Sequence, residues 1–177
     1  MAESDVRDFL MKALFQGLGE PGSWAGEGSR ASFAIKRAGV VGRCTVEGTV
    51  SYALPDGTNA DHNSDIQIEY GSDGSHSSER KYIAIEVKHA SAVTDQFKAR
   101  AFDMLHMKRA FASRLHGIMV FARIGTGISS RRAQAFSYPF DEFIGVELSK
   151  GNMGDELNEL CLRLIARVEA VLEDASG

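Results

Sequence analysis

Residues 81–88 constrain the chain most. Ile83, Ile85 and Val87 alternate with Ala84, Glu86 and Lys88, so the segment reads as a strand with one apolar face and an opposite face that turns polar toward its end. Downstream, Val93, Phe97, Met104, Met107, Phe111 and Leu115 approximate an apolar stripe at helical spacing, with Ser91 placed as the N-cap and the helix expected to reach about Arg114. Residues 117–124 then read as a buried strand. Strand, helix and strand in this order suit a right-handed parallel crossover, which calls for an α/β fold with a mixed sheet flanked by helices.

Upstream, residues 3–16 place Val6, Phe9, Leu10, Ala13 and Leu14 on one side of a helix, with Ser4 as its N-cap. Residues 17–29 are Gly-rich and carry Pro21 and the single Trp, Trp24, a composition that suits a mobile loop. Residues 31–41 are ambiguous. A strand is expected over 44–54 from the alternation of Cys44, Val46, Gly48 and Val50. A turn-rich stretch over 55–64 leads to a second strand that begins at Asp65 and continues through Ile66, Ile68 and Tyr70. Residues 71–78 make a hairpin loop. Beyond 124 come a Gly/Ser/Arg loop, a short helix, a strand near 143–148 and an amphipathic helix over 155–172, through Leu157, Leu160, Leu164, Val168 and Val171. There is no internal repeat and no low-complexity linker.

A chain of 177 residues that is 44% hydrophobic fits one domain with a core of its own. No apolar run approaches the roughly 20 residues needed to span a bilayer, and the first residues are acidic where a secretory signal would be basic, so a cytoplasmic protein is expected. Cys44 and Cys161 lie far apart in apolar-patterned segments and are expected to be buried free thiols. The net charge of −4 argues against simple adhesion to nucleic acid but leaves room for basic side chains gathered on one face.

The chemistry resides in the polar end of the 81–88 strand. Side chains two apart on a strand point the same way, so Glu86 and Lys88 stand together, and a hairpin brings Asp65 alongside Glu86. Two close carboxylates repel and favour a divalent cation between them. Magnesium prefers oxygen ligands and keeps waters and positions for a substrate phosphate. Lys88 is then placed to position an attacking water and stabilise charge on phosphorus.

These pieces, Ser64-Asp65-Ile66-Gln67-Ile68 and Ile85-Glu86-Val87-Lys88, with twenty residues between Asp65 and Glu86, resemble the PD-(D/E)XK nuclease superfamily, which includes many restriction endonucleases. The resemblance covers about residues 3–124, leaving 125–177 as a C-terminal strand and helix addition. It implies a restriction-endonuclease-like αβββαβ core and Mg2+-dependent hydrolysis of DNA, with Mn2+ able to substitute. Asp65, Glu86 and the Val87 carbonyl would hold metal, and Lys88 would serve the nucleophile. Ser64 stands where the family has proline, while the literal Pro55-Asp56 runs into Gly57 and reads as an ordinary turn.

Many family members add an acidic ligand from the first helix or strand. Glu47 is one candidate, and Glu20 and Glu27 are others, each weighed against a solvated surface carboxylate. Asp61 is a weaker candidate. Gln96 either faces the site or is a plain exposed helix position. Alternation turns His89 away from Lys88, toward a satisfied structural role. Arg131, Arg132 and Lys98 are candidate nucleic-acid contacts, and Lys108, Arg109 and Arg114 extend a basic track. The glycines at 125 and 127 make no phosphate-binding P-loop, because no Gly-Lys-Ser/Thr follows.

The expected function is a restriction or defence endonuclease. Cutting both strands would favour a homodimer, with the C-terminal stripe as a contact unless intramolecular packing covers it. The alternatives are a structure-selective repair or recombination nuclease, an RNA-cleaving toxin-like nuclease, and a noncatalytic nucleic-acid-binding or assembly domain of the same fold.

Overall fold

A computed structural model describes residues 2–37, 39–54, 56–74, 76, 79–89, 94–124, 129–149 and 151–175. Among these residues four α-helices surround one six-stranded mixed sheet. In chain order the elements are α1 (Glu3–Leu18), β1 (Ser32–Arg37), β2 (Val40–Ala53), β3 (Asn59–Ser72), β4 (Lys81–His89), α2 (Thr94–Phe111), β5 (Leu115–Ile124), α3 (Ser130–Phe136), β6 (Glu142–Leu148) and α4 (Met153–Asp174). The strands lie side by side in chain order. β1 to β4 form an antiparallel meander, and β4, β5 and β6 run parallel.

Period-two alternation sends Ile83, Ile85 and Val87 of β4, with Ile118 and Val120 of β5, to one face. There they meet Leu10, Met11 and Leu14 of α1 and Leu160, Leu164 and Val168 of α4. Burying each Leu or Ile stabilises the fold by about 1.5–3 kcal/mol. Phe97, Met104 and Met107 of α2 cover Ala84, Leu115, Met119 and Phe121 on the opposite face. The α4 stripe is thus consumed by intramolecular packing and is withdrawn as a dimer contact. No helix among the described residues is long and apolar enough to cross a membrane.

Several local expectations are corrected. α1 is capped at Ala2 and not at Ser4, with the Ala2 N–H donating to Asp5 Oδ2. The ambiguous 31–41 stretch resolves into β1 and the start of β2. The 17–29 segment is only partly a loop: Gly17 and Leu18 end α1, and the rest is pinned by bridges from Gly19 to Ile35 and Ala25 to Ser32. Trp24 packs on Phe15 and Phe33, which gives that segment an apolar anchor. β3 starts at Asn59, six positions before the expected Asp65, because the turn-forming Asp61 and Asn63 find cross-strand partners in Ser51 and Thr49. α2 ends at Phe111, and Leu115 belongs to β5. Ser91, Val93 and Pro55, with residues 125–128, lie outside the described residues. Cys44 and Cys161 are free and buried, and burial pushes the Cys161 thiol up to about 11.

Candidate active site

Asp65 stands where β3 and β4 part. Their ladder ends at the Ile66–Ile85 pair, so Asp65 falls opposite Glu86 one step beyond the last pairing. On its other side the β2–β3 ladder skips the step between Glu47 and Asp65, and Glu47 adopts a left-handed φ of 50°. Beyond this break the inner face of the hairpin changes. Cys44, Val46, Ile66 and Ile68 pack toward α1, whereas Val50 packs with Met104 and Met107 of α2, and His62 reaches Glu86. The β2–β3 arm therefore curls over α2 and closes one side of the site.

Asp65, Glu86 and Lys88 are brought together. Asp65 Oδ2 accepts the Val87 N–H at 2.7 Å and lies 4.0 Å from Lys88 Nζ. Lys88, 5% exposed, donates to the Val87 carbonyl at 2.8 Å and to Glu3 Oε1 at 3.0 Å. Glu86 is 1% exposed; its Oε1 accepts from His62 Nε2 at 2.8 Å, and its Oε2 lies 3.3 Å from Arg100 Nε without a hydrogen-bond partner. Asp103 completes the group, 3.7 Å from both His62 Nδ1 and Arg100. Burial pushes the Glu86 carboxyl above the ordinary carboxylate range; the Asp65 charge adds to this, while the His62 hydrogen bond and Arg100 oppose it.

Glu3, His62 and Arg100 join the site without being singled out by the sequence pattern. For His62 a signal existed, since it shares the parity of Ser64, Ile66 and Ile68 once β3 is extended to Asn59. Glu3 carried none: it meets Lys88 across 85 residues of chain.

The accessory candidates fare differently. Glu47 is paired with Arg7 at 2.6 Å. Glu20 and Glu27 are exposed on the loop, and Asp61 is exposed on the arm against Ser51. Asp56 accepts from the backbone and hydroxyl of Thr58, as an ordinary turn residue does. Gln96 is exposed on α2. His89 departs from the satisfied role expected of it, because its Nε2 is buried with no hydrogen-bond partner among the described residues. Lys98 and Arg132 both approach the Phe136 ring, at 5.3 and 5.8 Å, and Arg131 is exposed beside them. The basic track is shorter than expected, since Lys108 pairs with Asp141 and Arg114 sits over Phe111.

Among the described residues no three His, Cys, Asp or Glu side chains are grouped to hold a metal. A site of two carboxylates and a carbonyl would be an incomplete cage. That donor set suits magnesium, which binds through one or two carboxylates while keeping waters and substrate phosphate. Glu86 Oε2, which has the Arg100 charge beside it but no hydrogen bond, is the kind of buried oxygen a cation would satisfy. Ser64 Oγ and Gln67 Oε1, on either side of Asp65 in the chain, are also buried without partners. The Val87 carbonyl already accepts Lys88, so it could join a metal only by exchanging that bond. Comparison with known proteins finds no match among family models, curated proteins or solved structures.

Proposed function

We propose that this chain is a magnesium-dependent endonuclease that hydrolyses DNA phosphodiester bonds at Asp65, Glu86 and Lys88. One observation carries the reading: two carboxylates and a lysine, from strands that part at this point, converge at the sheet end, and one buried carboxylate oxygen there faces Arg100 but accepts no hydrogen bond. The order α1, β2, β3, β4, α2, β5, with three antiparallel strands and a parallel fourth, supports a restriction-endonuclease-like core. Glu3, from the first helix, adds an acidic group where the resemblance implies one.

Asp65 and Glu86 would hold the ion, with the Val87 carbonyl as a further donor. Held there, magnesium would supply positive charge to offset that of the phosphate and would make water easier to deprotonate. Lys88 directs its ammonium at the attacking water and the equatorial phosphate oxygens. Water adds in line to phosphorus, the bond to the 3′ oxygen breaks, and the products carry a 5′ phosphate and a 3′ hydroxyl. A restriction or defence setting, acting as a homodimer on both strands, is the preferred context.

Purified protein incubated with plasmid and genomic DNA in magnesium, manganese or EDTA tests this. Cutting with either metal, absent in EDTA and in Asp65→Ala, is the expected result. A second reading, a noncatalytic binding domain, is favoured by the protein partners that both carboxylates already have: His62 and Arg100 for Glu86, and the Val87 N–H for Asp65. Folded protein that cuts neither duplex, branched DNA nor RNA in any metal would replace the first reading with the second.

A further inference from the structure

Charge is divided unevenly between the two faces of the sheet. α2 and α3 carry six basic and two acidic residues, whereas α4, on the other face, carries six acidic and two basic ones. The net charge of −4 thus conceals a cationic face, and Glu86 points toward that face with Ala84.

Lys98, Phe102, His106 and Arg109 follow one another at spacings of four, four and three, which returns each to the same outward side of α2. Asp95 is the acid at the head of this stripe. Phe102 is 63% exposed and stands edge-on to His106, with ring centroids 4.4 Å apart. α3 packs beside α2, so that Lys98 and Arg132 converge on the Phe136 ring, and Tyr138, two residues on, is 81% exposed. Phe33, Phe97 and Phe121 are fully buried and Phe9 on α1 is 39% exposed, so rings as open as Phe102 and Tyr138 are not a general habit of the chain. Duplex DNA offers phosphates to cations but keeps its bases stacked inside. An unpaired strand offers both phosphates and base faces, which matches interleaved cations and rings.

We propose that the α2–α3 face binds unpaired DNA, its phosphates on Lys98, Arg109, Arg131 and Arg132 and its bases stacked on Phe102 and Tyr138. This rests on the nuclease reading for the position of the scissile bond and, within that reading, favours the structure-selective repair or recombination form over the restriction setting, because open base-stacking rings serve an unpaired strand and not a duplex. Arg100, on the inner side of the same helix, lies 3.3 Å from Glu86, so a strand crossing α2 runs toward the candidate site.

The test is binding in EDTA, where no metal-dependent cutting occurs. The probes are a labelled thymidine strand of about 20 nucleotides, longer than the roughly 4–16 that one stacking site covers, its duplex, and an abasic strand of equal length. The thymidine strand should bind about tenfold or more tightly than either other probe. Phe102→Ala and Tyr138→Ala should each weaken it about tenfold without lowering the melting temperature, because base stacking is lost while the core is untouched. A duplex bound as tightly as the single strand, or wild-type binding by both variants, overturns the proposal. Metal-dependent cutting alongside that outcome rejects this face alone; strand binding lost on Phe102→Ala in a protein that cuts nothing rejects the nuclease reading and keeps this one.

Discussion

The Glu86 carboxyl is almost wholly buried, with one oxygen bonded to His62 and the other beside Arg100 but unbonded, so its charge has lost water and is only partly compensated. Such an arrangement is expected where stability is traded for function. Glu86→Gln keeps an oxygen for His62 and removes the charge, and Arg100 retains Asp103 at 3.7 Å. The variant should therefore abolish cutting while gaining about 1 kcal/mol, roughly 2–4 °C in Tm for a chain of this size. The pH dependence follows from the sign of the shift. Burial raises the folded-state pKa above the unfolded value, so the Glu86 contribution is fully present below the ordinary carboxylate range and is lost as pH rises through the raised value. Denaturant titrations in EDTA should show the advantage of Glu86→Gln over wild type growing as pH rises above the ordinary carboxylate range. A constant difference, or a variant less stable throughout, would mean that the carboxylate is a structural anchor.

Among the elements, the β2–β3 arm decides the site, and its pivot is the unpaired Glu47 step followed by Gly48. A Cβ on Gly48 would lie 2.6 Å from Gln67 Cβ and 2.6 Å from Thr45 Oγ1, too close for any adjustment of a flexible side-chain tip to relieve. Gly48→Ala should cost about 1–3 kcal/mol, as overpacking of a tight site does. It should also slow cutting at temperatures where the variant is still folded, because the strain falls beside Asp65. Urea unfolding and a cleavage rate measured together check both effects. Unchanged stability would show that the pivot can open without loss.

At the scale of the molecule, what could be read from the sequence was whatever repeats locally. β4 was legible because its two faces differ residue by residue, and the hairpin register of Asp65 against Glu86 followed from two alternating strands joined by a short loop. β1 was not, since its apolar signal rests on Phe33 and Ile35 just before Lys36 and Arg37 and a left-handed turn at Gly39. The first half of β3 was hidden because Asn59, Asp61 and Asn63 have turn chemistry, and only their partners on β2 make them a strand. Glu3, His62 and Arg100 reach the site through packing between distant segments, which no local period reports. The charge division between faces was equally out of reach, because it depends on which side of the sheet each helix takes.

All of these levels meet at Lys88, a buried cation held by Glu3, the Val87 carbonyl and Asp65. The most direct measurement is therefore single-turnover cleavage of plasmid DNA in magnesium by Lys88→Ala, with the Kd for the same DNA determined in parallel. Loss of a charge-stabilising group that acts only in the transition state should lower the rate about 100-fold or more and leave Kd within about threefold. Cutting at the wild-type rate by a folded Lys88→Ala protein would contradict the assignment of this site.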